Sequence, residues 1–212
     1  ARGMRVFGDA GSGNCYKIQL LLNLLDLDYE WVSIDILKVE TRTPEYLARN
    51  ANGKIPLLEY APGAYLAESN AILHYLAEGS AYLPTDRLAH AQVLQWMFFE
   101  QYSHEPCIAV ARFYIFYLED REGRRAELEK LWERGYAALK VMESRLAQSP
   151  FLVGETPTIA DLSLFAYTHV AHEGDFYLDD FPAIRAWIDA IEALPRFRPM
   201  GRRGPPETKE AR

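Results

Sequence analysis

Apolar and polar positions follow two different regimes along this chain. Up to about residue 80 the period keeps switching. "MRVFG" (4–8) is a short apolar run of strand type, and "CYKIQLLLNLLDL" (15–27) carries apolar residues on a helical period. "YEWVSID" (29–35) alternates as a strand does. In "TPEYLAR" (43–49), Thr43 stands where an N-cap belongs and Pro44 at the first helical position, which predicts a helix start. "IPLLEYAPGAYLAE" (55–68) reads as two short strands around Pro62-Gly63, and "SNAILHYLAE" (69–78) as an amphipathic helix stopped by Gly79.

The predicted order is therefore β-α-β-α-β-β-α, with parallel strands, a crossover helix and a terminal hairpin. That order is the layout of a thioredoxin-like domain. A Gly/Pro-punctuated linker, "GSAYLPTDR" (79–87), follows. Beyond it the pattern is helical throughout, with helices expected near 87–118, 123–148, 158–172 and 182–194. "TIAD" (158–161) is a capping box in which Thr158 and Asp161 serve each other's backbone. The domains expected are an α/β domain over 1–80, a linker over 81–88, an all-α domain over 89–200 and a flexible tail over 201–212.

Composition narrows the function. The 212 residues carry a net charge of −7, with 49% hydrophobic and 25% charged residues. An acidic balance argues against a general nucleic-acid or anionic-membrane binder. Runs such as "IAVARFYIFYL" are too interrupted to span a bilayer. The opening residues show no secretory leader pattern, and two unpatterned cysteines, Cys15 and Cys107, suit a reducing compartment, so a cytoplasmic protein is expected.

"GSGNCYK" (11–17) is the stretch richest in chemistry. It lacks the third small residue of a dinucleotide fingerprint, and the Gly-Lys-Ser/Thr of a phosphate loop. It has the spacing of a C-x-x-C motif, but Ser12 replaces the first cysteine. Cys15 lies in the first helical turn, where the helix dipole favours a thiolate; a lone cysteine is more commonly a small buried hydrophobe. The third reading makes Ser12 the working group. A hydroxyl there donates to a bound substrate thiolate and draws the thiol pKa below its free value of about 8.5. In "NGKIP" (52–56), a cis Ile55-Pro56 bond would present the Ile55 backbone to an extended peptide. In "ESNAI" (68–72), Ser69 opens a helix and so an anion site, with Glu68 beside it for an ammonium. Together these suit an α-amino acid group.

These segments, with "GETPTIADLSLFAY" (154–167), resemble a cytosolic glutathione S-transferase over roughly residues 4–200, of a bacterial serine/theta-like or nu-like type. The resemblance implies a thioredoxin-like domain followed by a helical one, usually as a homodimer. It implies glutathione as co-substrate, no permanently bound cofactor and no metal. Ser12 would activate the thiol, Ile55 would clamp the cysteinyl unit, and Glu68 and Ser69 would hold the γ-glutamyl end. Lys38 and Lys54 would meet the glycyl carboxylate. Some bacterial relatives carry Thr and Asn at the activating loop and favour disulfide reduction, which keeps Asn14 as the alternative catalytic residue. The aromatic helix "QWMFFEQYSHEPCIAVARFYIFYL" (95–118) would line the electrophile pocket, through Tyr102, Glu105, Arg112, Phe113 and Phe116. Aromatics there hold a flat apolar substrate, and Arg112 faces developing negative charge. The expected activity is conjugation of glutathione to apolar electrophiles, in detoxification. The alternatives are a glutathione-dependent disulfide reductase or peroxidase, and a non-catalytic binding module of the same fold. "HVAH" (169–172) offers a histidine pair without a clear third ligand and reads as core or surface; the charged run at 119–134 reads as a solvated helix face.

Overall fold

The computed structural model describes residues 3–201; the expected tail over 201–212 lies, but for Gly201, outside them. The chain forms two compact units. One takes in the described residues up to Glu78 together with those from Pro195 onward, and the other is Gly79–Leu194.

The first unit is a four-stranded sheet in the order β2-β1-β3-β4. β1 (Met4–Gly8) pairs parallel with β2 (Tyr29–Ser33). That geometry needs a crossover, and α1 (Gly13–Leu24) supplies it. β3 (Leu57–Ala61) runs antiparallel to β1, and β4 (Ala64–Ala67) closes the sheet through the turn at Gly63, whose φ of +74° suits glycine. The β1–β3 register sets Arg5 opposite Glu59, and the two side chains form an ion pair. Between β2 and β3 lie two short 3₁₀ turns, Ile36–Lys38 and Glu40–Arg42, then α2 (Pro44–Arg49), capped by Thr43 as the sequence predicts. α3 (Ser69–Ala77) follows β4.

α1 begins two residues earlier than its apolar period suggests, because Ser12 is its N-cap. Ile18, Leu20, Leu21, Leu22 and Leu24 are buried, and α1 packs against α3. Gly8 ends β1 where a Cβ would lie 2.8 Å from the Cys15 sulfur and 2.9 Å from the Trp31 ring, so the Cys15 side chain occupies the place a larger residue 8 would need. The stretch from Pro195, expected with the helical domain, belongs to this unit. Tyr16 Oη donates to the Arg198 carbonyl at 2.5 Å, and Arg196 lies 3.6 Å from Asp26.

The second unit contains α4 (Arg87–Phe99), α5 (Glu105–Arg112), α6 (Arg125–Leu146), α7 (Ile159–Thr168) and α8 (Pro182–Glu192). α4 runs on through α5 by a π-helical turn at Glu100–His104, and α5 ends in a second one at Phe113–Tyr117. Pro106 explains the first. It has no N–H, and its ring clashes with an α-helical carbonyl four residues back; wider bonds such as Glu105 N–H to Glu100 O relieve this. α7 is buried along its whole length. It is shorter than expected and gives way to a 3₁₀ turn at Ala171–Gly174. Glu143 of α6 accepts from the Ala183 and Ile184 amides at 2.8 Å each, capping α8 from another helix. No helix among the described residues is long and apolar enough to cross a membrane.

Candidate functional site

The loop from β1 to α1 is shaped by its own polar groups. Asp9 Oδ1 accepts from the Gly11 amide at 2.8 Å, and the Ser12 amide donates to the Asp9 carbonyl at 3.0 Å. This turn delivers Ser12 to the N-cap of α1, where its oxygen accepts from the Cys15 amide at 3.3 Å. A hydroxyl that accepts there still carries a proton to donate. Ser12 and Asn14 are partly exposed, whereas Cys15 is fully buried. Burial pushes the Cys15 thiol up to about 12, against the opposing hydrogen bond from Ser12. At neutral pH Cys15 is thus a packed thiol without nucleophilic character.

The second segment is held from beneath. The Lys54 carbonyl accepts from Tyr46 Oη at 2.6 Å and from Asn50 Nδ2 at 2.8 Å. Ile55-Pro56, the next peptide bond, is cis, and Ile55 is half-buried. The ammonium groups of Lys38 and Lys54 stand at the surface; Lys38 lies 3.9 Å from Asp35.

The third segment opens α3. Glu68 is exposed, with φ 72° and ψ 114°. Such a conformation costs an L-residue on the order of 1–3 kcal/mol and persists only where its surroundings impose it. It turns the chain from β4 so that Ser69 and Asn70 begin the helix, where amide N–H groups and the helix dipole favour an anion. Ser69 is buried, and its Oγ lies 3.3 Å from Asn14 Oδ1. The fold therefore joins "SGNC" and "ESNAI", which are 55 residues apart. Between them sits a residue that sequence reasoning passed over. Lys17 is fully buried, and its Nζ donates to Asn14 Oδ1 at 2.8 Å and to Ser69 Oγ at 3.3 Å. The signal in the sequence was a lysine inside an apolar helix, three residues after Asn14.

In the second unit, Tyr102 is 85% exposed and Glu105 half-buried. Arg112 is buried, with its Nε 2.7 Å from Glu173 and its guanidinium 4.6 Å above the Phe116 ring. Phe113 packs on Tyr117 with ring centres 5.5 Å apart. Glu173 is thus a partner for Arg112 that sequence reasoning did not assign. His169 Nδ1 lies 2.9 Å from the Phe165 carbonyl, its ring stacks on Phe165, and burial holds its pKa below the ordinary value. No group of three His, Cys, Asp or Glu residues suited to a metal ion is found among the described residues.

A thioredoxin-like domain with a cis-proline segment and a serine-led helix start, followed by a helical unit, defines a class that comparison with known proteins identifies. Residues 2–78 match the glutathione S-transferase N-terminal domain, and residues 125–190 the C-terminal domain. The crystal structure of a glutathione S-transferase from Pseudomonas fluorescens is 56% identical, covers 93% of this chain and 98% of its own, and superposes with a TM-score of 0.92. Maleylacetoacetate isomerase of Rhizobium meliloti is 32% identical, over 89% of this chain and 92% of its own. The disulfide-bond oxidoreductase YfcG of Escherichia coli is 29% identical, over 88% and 89%. The chain belongs to the glutathione S-transferase family.

Proposed function

We propose that this protein is a glutathione transferase that ionises the glutathione thiol at the start of α1 and delivers it to an apolar electrophile. The observation that carries the reading is the meeting of Asn14, two residues after the Ser12 cap, with Ser69 at the start of α3. Two helix starts then serve one ligand: α1 for the sulfur and α3 for the γ-glutamyl carboxylate, with Glu68 for its ammonium. Ile55, beside the cis bond, pairs with the cysteinyl backbone, and Lys38 and Lys54 serve the glycyl carboxylate. Ser12 donates to the thiolate. Depressing the thiol pKa by about two units is worth roughly 2.7 kcal/mol. Tyr102, Glu105, Phe113 and Phe116 line the electrophile side, with Arg112 held by Glu173. Leu88 and Phe98 of α4 are 66% and 70% exposed, which suits a homodimer contact. A cytoplasmic detoxification role follows from the same reading.

A second reading, glutathione-dependent disulfide reduction, is favoured by Asn14 and by the resemblance to a disulfide-bond oxidoreductase. One series separates the two. Ser12→Ala, Asn14→Ala and Cys15→Ala are assayed with glutathione on one chromogenic aryl halide and one small disulfide. The transferase reading expects Ser12→Ala to slow conjugation by about tenfold or more near neutral pH. If Asn14→Ala alone abolishes turnover, and on the disulfide, the second reading replaces it. If the parent protein binds glutathione but turns over neither substrate, the chain is a binding module.

A further inference from the structure

Lys17 presents a physical puzzle. A buried ammonium is expensive to keep out of water, and a methionine of similar length would fill the same space in α1 at lower cost. Stability alone does not explain a lysine there. Its contacts do. Nζ donates to Asn14 Oδ1 at 2.8 Å and to Ser69 Oγ at 3.3 Å, while Ser69 Oγ donates to Asn14 Oδ1 at 3.3 Å. The triangle spans the first turn of α1 and the first residue of α3.

An asparagine amide has an acceptor at one end and two donors at the other, and its partners decide which end faces which way. An ammonium on Oδ1 commits the oxygen inward and turns the NH₂ to the other side. Rotated by half a turn, the same side chain would set an acceptor oxygen where a thiolate needs a donor. Ser69 is fixed by the same ammonium, so the sulfur end and the γ-glutamyl end are oriented together.

We propose that Lys17 is a positioning residue, which turns the Asn14 amide NH₂ toward bound glutathione and holds the Ser69 oxygen beside it at the start of α3, coupling the two ends of its site. The inference rests on the glutathione reading above. It assigns Lys17 no contact with the substrate: its effect passes through Asn14 and Ser69.

The experiment is a double-mutant cycle. Lys17→Met is made in the parent and in Asn14→Ala. Each protein is measured for melting temperature, for glutathione affinity by calorimetry, and for bound thiolate by ultraviolet difference absorbance at neutral pH. In the parent background, Lys17→Met should melt no lower than the parent. It should bind glutathione at least about fivefold more weakly and show at least about threefold less thiolate. In Asn14→Ala, adding Lys17→Met should leave the thiolate fraction nearly unchanged, because the group it acts through is gone. Unchanged affinity and thiolate in Lys17→Met overturn the inference, as does the same fold-loss of thiolate in both backgrounds. Should Lys17→Met fail to fold, the cycle is run with Lys17→Gln, and the same two results overturn it. A parent protein that binds no glutathione sinks the functional reading and this inference together. A parent that binds, beside variants that do not differ from it, sinks the inference alone.

Discussion

Replacing Asp161 by alanine removes the acceptor for three buried N–H donors at once. Its Oδ1 accepts from the Leu152 amide at 2.9 Å and the Trp187 indole N–H at 2.8 Å; its Oδ2 accepts from the Thr158 amide at 2.8 Å. The capping box legible in the sequence accounts for only the last of these. Each orphaned buried donor costs about 1–3 kcal/mol, and neighbouring losses do not add fully, so Asp161→Ala should cost roughly 3–6 kcal/mol. For a chain of this size that corresponds to roughly 6–24 °C in melting temperature. Asp161→Asn is the informative companion. Its amide oxygen can still serve Leu152 and Trp187 from the Oδ1 position, but its NH₂ then meets the Thr158 N–H, donor against donor. The expected cost is that of one lost bond, about 1–3 kcal/mol. Thr158→Ala should cost about 0.5–2 kcal/mol, as loss of an N-cap does. Urea denaturation followed by tryptophan fluorescence orders the three variants. Glutathione turnover of the folded variants should stay within about twofold of the parent, because Asp161 is no part of the proposed machinery. Equal losses in Asp161→Ala and Asp161→Asn would refute the assignment of separate work to the two oxygens, and a melting temperature unmoved by Asp161→Ala would refute the whole argument.

Three further outcomes are expected. Glu68→Gly should raise the melting temperature, since relief of roughly 1–3 kcal/mol of backbone strain exceeds glycine's entropic cost of about 0.5–1 kcal/mol, and should weaken glutathione binding; unchanged affinity by calorimetry removes Glu68 from the site. Cys15 should resist thiol reagents at mildly alkaline pH until the chain unfolds, since burial holds its pKa at about 12, and Cys15→Ala should keep most activity; rapid labelling of Cys15 in the native protein would contradict this. The Arg5 guanidinium and then the Gly63 amide hold the Glu59 carboxyl down at about 2, from an ordinary 4.5. A depressed carboxylate stabilises fully above its unfolded pKa and loses that contribution as pH falls through its folded one. The stability gap between the parent and Glu59→Gln should therefore be largest above pH 4.5 and close toward about 2, as read from urea midpoints; a gap independent of pH would refute it.

What the sequence determined by itself was local. Thr43 and Thr158 announce helix starts because a capping oxygen needs only the amides two or three residues ahead. Pro62-Gly63 announces the hairpin because the turn asks for a backbone geometry that glycine meets cheaply. Period switching gave the strand and helix order, and the motifs carrying the family resemblance are contiguous. The tertiary structure decided everything that joins distant segments. Asn14 and Ser69 are 55 residues apart, Arg112 and Glu173 are 61, and Asp161 and Trp187 are 26. Hydrophobic patterning says that a position is buried without saying what it is buried against. A lysine in an apolar helix therefore reads as an exception until the chain closes around it. Pro195 and the residues after it follow the helical half in sequence, yet Tyr16 and Asp26 receive them on the first unit. A donor and an acceptor far apart in sequence leave no periodic trace, because only the folded path brings them within reach.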